Sequence, residues 1–271
     1  MLPPTAASTT LVYDAVILSD LHLGSDNCQA KHLCEFLERI EDGRLRTARL
    51  ILNGDVFDSI DFRRLKKTHW KVLSLIRKLS DQIDIIWLCG NHDGSADIVS
   101  HLLGTRVEDE HTLASGPHQV LILHGHRFDE FLDAHPILTL VSDMVYYLLL
   151  RVDRTHRVAR LAKKSSKTFL RCAQKIEERS REYARGKGCT VVCCGHTHQA
   201  ISDPSQDVHY FNSGCWTELP CTYLTVRDGR IELQAFEPEV ELLAAEPATL
   251  ITRPMLWTGA AVFPTPVAVP E

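Results

Sequence analysis

Ala15-Val-Ile-Leu18-Ser-Asp20-Leu-His22 is a short apolar run that ends in a carboxylate and, two residues on, an imidazole. Four aliphatic residues without a polar break are what a strand buried on both faces requires. The same grammar recurs along the chain. Leu50-Ile-Leu52 leads into Asn53-Gly54-Asp55-Val-Phe-Asp58, and Ile83–Leu88 into Cys89-Gly90-Asn91-His92-Asp93. Val120–Leu123 leads into His124-Gly125-His126, and Thr190–Cys194 into Gly195-His196-Thr197-His198. Gln29–Ile40 and Leu65–Leu79 lie between such runs and carry apolar residues at helical spacing. Strand–helix–strand alternation predicts a layered α/β fold, in which chemistry gathers on the loops leaving the C-terminal ends of the strands. Five predicted strand ends thus bring Asp, Asn or His to one edge of a sheet.

Composition bounds the rest. The 271 residues are 44% hydrophobic and 24% charged, the balance of a chain that folds around its own core. A net charge of −5 gives no global reason to expect a nucleic-acid partner. The nine cysteines include no Cys-x-x-Cys pair, and several lie in apolar runs, which reads as free thiols in a reducing, cytoplasmic compartment. Met1–Thr10 has no basic-then-apolar signal pattern. Ile137–Leu150, the longest apolar stretch, is broken by Ser142 and Asp143 and falls short of the roughly 20 residues that span a bilayer.

Carboxylate, amide oxygen and imidazole together suit Mn²⁺, Fe or Zn²⁺, and such ions make phosphoryl transfer to water feasible. In an extended segment residues i and i+2 face one side, so Asp20/His22 and His196/His198 would each aim two groups at one point. Asp55 is the natural carboxylate to be shared between two ions.

The ordered set Asp20-x-His22, Gly54-Asp55-x-x-Asp58, Gly90-Asn91-His92-Asp93, His124 and Gly195-His196-x-His198 resembles the calcineurin-like metallophosphoesterases over about residues 14 to 236. The resemblance implies an α/β fold of four layers, an α/β/β/α sandwich with the metals at the strand ends. It implies a first ion held by Asp20, His22, Asp55 and His198, and a second held by Asp55, Asn91, His124 and His196. Mn²⁺ is the expected metal, with Fe or Zn²⁺ as alternatives. Hydroxide would attack phosphorus in line; His92 would stabilise the developing charge or protonate the leaving group, and Asp58 would orient His92.

From Asp133 to Gly188 the chain reads as helical, and residues 131–187 are expected to form an inserted cap within a domain spanning 12–237. Residues 151–187 hold 13 Lys and Arg against 4 Asp and Glu, a local charge of +9 that leaves −14 elsewhere. Arg151, Arg154, Arg157, Arg160, Lys164, Lys167 and Arg171 recur at helical spacing behind the apolar stretch. Such a pair of helices would act as a lid, lie on an anionic membrane surface, or pack with its charges solvated. The insertion's place and character resemble the UDP-2,3-diacylglucosamine pyrophosphatase group of lipid A biosynthesis, as does Tyr210-x-Asn212-x-Gly214-Cys215-Trp216. That likeness implies a nucleotide-lipid diphosphate substrate, substrate contacts from Arg157, Lys164, Lys167 and His126, and peripheral attachment to the inner face of the cytoplasmic membrane. His92, His126 and Cys215 depart from the group's pattern and point to a divergent branch. A general phosphomonoesterase or Ser/Thr protein phosphatase, a nuclease, and a non-catalytic scaffold are the competing readings; oligomeric state is left open. Val208–Phe211, Cys221–Val226 and Ile231–Phe236 read as an antiparallel meander with a hairpin turn at Arg227-Asp-Gly-Arg230. Residues 238–271 read as an extended tail.

Overall fold

A computed structural model of the chain describes residues 12–94, 100, 107–129 and 167–239. The strands, in chain order, are β1 (Val12–Tyr13), β2 (Ala15–Leu18), β3 (Arg46–Thr47), β4 (Arg49–Asn53), β5 (Asp84–Leu88), β6 (Val107–Glu108), β7 (Glu110–Ser115) and β8 (His118–Leu123). They continue as β9 (Val191–Cys194), β10 (Ala200–Asp203), β11 (His209–Ser213), β12 (Thr222–Arg227) and β13 (Arg230–Ala235). The helices are α1 (Ala30–Glu41), α2 (Lys67–Leu79) and α3 (Lys167–Gly186).

Two sheets result. One has six strands in the order β13-β12-β2-β4-β5-β6, the other five in the order β10-β11-β9-β8-β7. In the first, β2, β4, β5 and β6 run parallel; in the second, β8, β9 and β11 do. Parallel alignment brings the C-terminal ends of β2, β4 and β5 to one edge, and those of β8 and β9 to another.

Period-two alternation assigns the uninterrupted apolar runs to two different cores. Ala15, Ile17 and Ile51 face Val120, Ile122, Val191 and Cys193 of the opposite sheet. Val16, Leu18, Leu50 and Leu52 face outward, under Leu33, Leu37, Val72 and Ile76 of α1 and α2. On the other outer side Leu121, Leu123, Val192 and Cys194 pack with Ala184. The layers are therefore α/β/β/α, as the resemblance implied. The fully buried side chains of these runs explain why no polar residue interrupts them: each aliphatic side chain so buried contributes about 1.5–3 kcal/mol.

Three expectations are corrected. The strand ends reach the edges of two sheets, not one. The C-terminal meander is divided: β11 pairs parallel with β9 in the five-stranded sheet, whereas β12 and β13 form a hairpin in the other. Its turn is as read, with Asp228 and Gly229 at φ of 51° and 83°, the mirror-image turn that suits strand twist. Third, Asp20, His22, His196 and His198 are not extended; all have positive φ, between 49° and 67°. The strands β7 and β10 escaped the pattern because edge strands such as Glu110-His-Thr-Leu-Ala-Ser115 alternate polar residues toward water.

Of the expected cap, residues 170–186 of α3 show buried Ala173, Ile176, Ser180, Arg181 and Ala184 at helical spacing. Arg171, Lys175 and Arg185 are exposed. Arg181 is not a solvated cation: it is buried against Glu177 at 2.8 Å and Asp203 at 2.6 Å. The rest of the cap, including Arg157 and Lys164, and the tail from residue 240 lie outside the described residues. So does the side chain of Lys167. Among the described residues no helix is long and apolar enough to cross a membrane.

Candidate metal centre

The loops after β2 and β4 are zipped together by backbone bonds: Asp20 N–H donates to Gly54 O, His22 N–H to Asp55 O, and Asp58 N–H to Leu23 O, all at 3.0–3.1 Å. On the other sheet, Gly195 N–H donates to His124 O at 3.0 Å. His196 N–H then donates to Asp20 Oδ2 at 3.1 Å and ties the two loop sets to each other. Side chains aimed by left-handed residues on these loops converge.

They meet as three overlapping groups: Asp20, His22 and His198; His22, Asp55 and His92; and Asp55, His124 and His196. Within each group the candidate ligand atoms lie within 4.8 Å of one another. His22 Nε2 and His198 Nε2 face each other at 3.2 Å, and His198 Nε2 is 3.2 Å from Asp20 Oδ1. His124 Nε2 is 3.2 Å from Asp55 Oδ2. Asp55 belongs to two of the groups, with His22 and His92 and with His124 and His196. Asn91 is exposed beside them, and its backbone neighbour His92 donates its N–H to Asp55 Oδ1 at 2.9 Å.

Divalent cations fit these residues. His124 Nδ1 is 2.8 Å from the Asn53 carbonyl, so Nδ1 carries a proton and Nε2 is the nitrogen a cation would take once the proton there is displaced, the usual arrangement of a metal-bound histidine. Asp20 Oδ1 and His124 Nε2 are both buried with no well-aligned hydrogen bond, each meeting an ionic neighbour at 3.2 Å, an expensive state for ordinary polar atoms. Protonation tells the same story. Burial opposes charge on Asp20, yet His198 beside it holds the carboxyl down to about 2. Burial likewise opposes charge on His124, yet Asp55 and Asp20 push it up to about 10. The carboxylates hold protons on neighbouring imidazoles, and cations would replace those protons.

Two glycines permit this closeness. A Cβ on Gly90 would overlap the backbone nitrogen and Oδ1 of Asp55. One on Gly195 would come within 2.7 Å of Ser19 Oγ and Asp20 Oδ2.

The role expected of Asp58 changes. Its carboxylate faces His22 Nδ1 at 3.4 Å and Arg64 at 2.6 Å, while His92 Nδ1 meets the backbone carbonyl of Asp58 at 3.1 Å. Asp58 thus steadies His22 with its carboxylate and His92 with its main chain. His126 stands beside the centre, its ring 5.5 Å from that of His124 and 6.4 Å from that of His196. Burial, reinforced by those two imidazoles, lowers it to about 4, so it is neutral.

Several contributors had no role assigned from sequence. Asp93 is buried and accepts from Phe57 N–H at 2.9 Å and Gly90 N–H at 3.0 Å, which locks the β4 loop to the β5 loop. Burial, with Asp55 close by, pushes it up to about 6. Asn212 donates to Gly195 O at 2.7 Å and accepts from Gly214 N–H at 3.0 Å, holding the His196/His198 loop. Both sit inside motifs already quoted, so the signal was present. Cys215 is buried behind Asp20 and accepts from Thr217 Oγ at 3.3 Å.

No curated protein matches the chain. Among solved structures it is similar to an archaeal phosphodiesterase, at 17% identity and a TM-score of 0.42, covering 82% of this chain and 98% of that one. A phosphoesterase from E. coli gives 13% identity and a TM-score of 0.44, covering 82% and 99%. The vacuolar protein sorting protein Vps29 from Entamoeba histolytica, solved with Zn²⁺, gives 14% and 0.39, covering 82% and 99%. The family model for calcineurin-like phosphoesterase matches residues 14–200, the span that carries Asp20 through His198. With that match, the chain belongs to the calcineurin-like phosphoesterases and is a metal-dependent phosphoester hydrolase.

Proposed function

We propose that the protein is a two-metal hydrolase of a nucleotide-lipid diphosphate resembling UDP-diacylglucosamine. One observation supports the two-metal part: two ligand groups, Asp20/His22/His198 and Asp55/His124/His196, adjoin, with Asp55 Oδ2 3.8 Å from His22 Nε2 of the first, and in this reading Asp55 would serve both. Asn91 completes the second set in this reading. Mn²⁺, Fe and Zn²⁺ all suit the donors, and Mn²⁺ is the metal proposed. When bound, such cations neutralise phosphoryl oxygens and make water acidic enough to supply hydroxide near neutral pH.

The protein's own residues do the remaining work. Asp58 and the Asn53 carbonyl fix His22 and His124 in the orientation that the ions require. His92 has its Nδ1–H on the Asp58 carbonyl, which leaves Nε2 to hold or deliver a proton at the departing oxygen. Neutral His126, beside His124 and His196, would contact the substrate in this reading.

The substrate rests on the motif likeness and on the +9 charge of residues 151–187, which would meet a diphosphate or an anionic membrane surface. The test is Mn²⁺-dependent release of UMP from UDP-diacylglucosamine by purified protein, beside p-nitrophenyl phosphate and a phosphopeptide. Release of UMP in preference to the monoesters is expected. Good turnover of monoesters with none of the UDP-lipid would replace the substrate while leaving the chemistry intact.

A further inference from the structure

We propose that Asp129 is a positioning residue that sets the tautomer of His196 and thereby completes the second metal position; this rests on the two-metal reading above. Asp129 Oδ2 lies 3.0 Å from His196 Nε2. An imidazole has two nitrogens. With Nε2–H donated to the carboxylate, Nδ1 carries the lone pair and is the nitrogen available to a cation shared with Asp55 and His124. Carboxylate–histidine–metal chains of this kind both orient the ring and make it a better donor. His196 needs such help. Its backbone is left-handed at φ 67°, its N–H is engaged by Asp20, and its ring meets His124 edge-on at 5.3 Å.

Asp129 is itself held by the far sheet layer. It closes a 3₁₀ turn, His126–Phe128, whose capping bond runs from Asp129 N–H to His126 O at 3.0 Å. Arg179 of α3 donates to Phe128 O at 3.5 Å, and the Phe128 ring packs on Tyr183 of α3 at 5.6 Å. Arg127, in the same turn, bonds Glu110 at 3.1 Å and Tyr183 at 3.3 Å. Helix α3 therefore clamps the turn that presents Asp129, and the carboxylate of Asp129 carries that support to His196.

The test uses the full chain as wild type, Asp129→Ala and Asp129→Asn, titrated with Mn²⁺ and followed by electron paramagnetic resonance. Wild type is expected to bind two ions and give an exchange-coupled signal. Asp129→Ala should keep the first ion at wild-type affinity, weaken the second by about 10–100-fold, and show only uncoupled Mn²⁺ at low metal. Asp129→Asn keeps an oxygen that accepts the His196 N–H and should recover most of the coupled signal, even where the alanine variant folds poorly. Asp129→Ala binding both ions like wild type would overturn the proposal. So would equal weakening of both ions, or an asparagine variant no better than alanine. Wild type binding no Mn²⁺ pair would overturn the two-metal reading itself, and is distinguished from the other outcomes because it requires no variant.

Discussion

The two sheets contribute unlike chemistry to the centre. The loops of the six-stranded sheet bring the carboxylates Asp20 and Asp55, with His22, Asn91 and His92. Those of the five-stranded sheet bring imidazoles alone to the ligand groups: His124, His196 and His198. Buried carboxylates without countercharge repel one another and shift toward protonation. Here, imidazoles from the opposite sheet are interleaved among them, and His196 N–H on Asp20 Oδ2 makes the joint explicit. Two of the three ligand groups draw on both sheets, and His22, Asp55 and His92 come from the six-stranded one. The centre draws on both halves because the two sheets pack face to face and bring the loops after their parallel strands together.

The hardest blow to this division of labour is Asp55→Asn, which removes the charge that both halves share. Loss of activity of at least about 10²–10³-fold is expected, with Mn²⁺ content falling at both positions, measured by steady-state kinetics and metal analysis. Gly90→Ala strikes the six-stranded half through packing. Its methyl group must displace Asp55, and overpacking of that kind costs roughly 1–3 kcal/mol, read as a lower denaturation midpoint together with weakened metal binding.

Removing the metal tests the joint itself. A ligand at 100 times its Kd stabilises the folded state by about 2.7 kcal/mol, so chelation should lower Tm, measured by calorimetry, by roughly 5–10 °C for a chain of this size. The sign of the pH effect follows from the imidazoles. His124 is raised to about 10 and His22 is raised as well, despite the burial that opposes charge on both. Each must release a proton to bind a cation, so metal affinity should rise with pH from 6 to 9, checked by calorimetric titration in buffers of different ionisation enthalpy. A pH-independent affinity would mean that the imidazoles enter already neutral.

The smallest effect concerns the clamp behind the five-stranded half. Glu110 is only slightly buried, which works against its charge, but bonds from Lys187 and Tyr183 hold it below the ordinary 4.5. A depressed carboxyl stabilises the fold above its unfolded value and loses that contribution as pH falls through its folded one. Lys187→Ala should therefore flatten the acid limb of the stability curve only slightly, as expected for a solvated pair, read from denaturation midpoints at a series of pH values.

Local pattern was enough for much of this. The strands carrying Asp20, Asp55, Asn91, His124 and His196 follow from uninterrupted apolar runs, because a strand buried on both faces admits no polar residue. The glycines before Asp55, Asn91 and His196 were visible in the motifs, but their reason, the approach of a second loop, was not. The strands β7 and β10 were missed because a half-exposed edge strand has no apolar run to notice.

By itself, then, the sequence determined which residues follow which strands, and hence the donor set and the class of reaction. Only the tertiary structure decided which atoms meet. His22 and His198 face each other across 176 residues of sequence, and Asp129 finds His196 across 67. It was the fold that brought the carboxylate of Asp58 to His22 and Arg64, and that replaced expected strand alternation with left-handed loops. The physical reason is range. Hydrophobic period and turn chemistry are written within a few neighbouring residues, whereas the partners of a buried polar side chain are set by the packing of whole sheets.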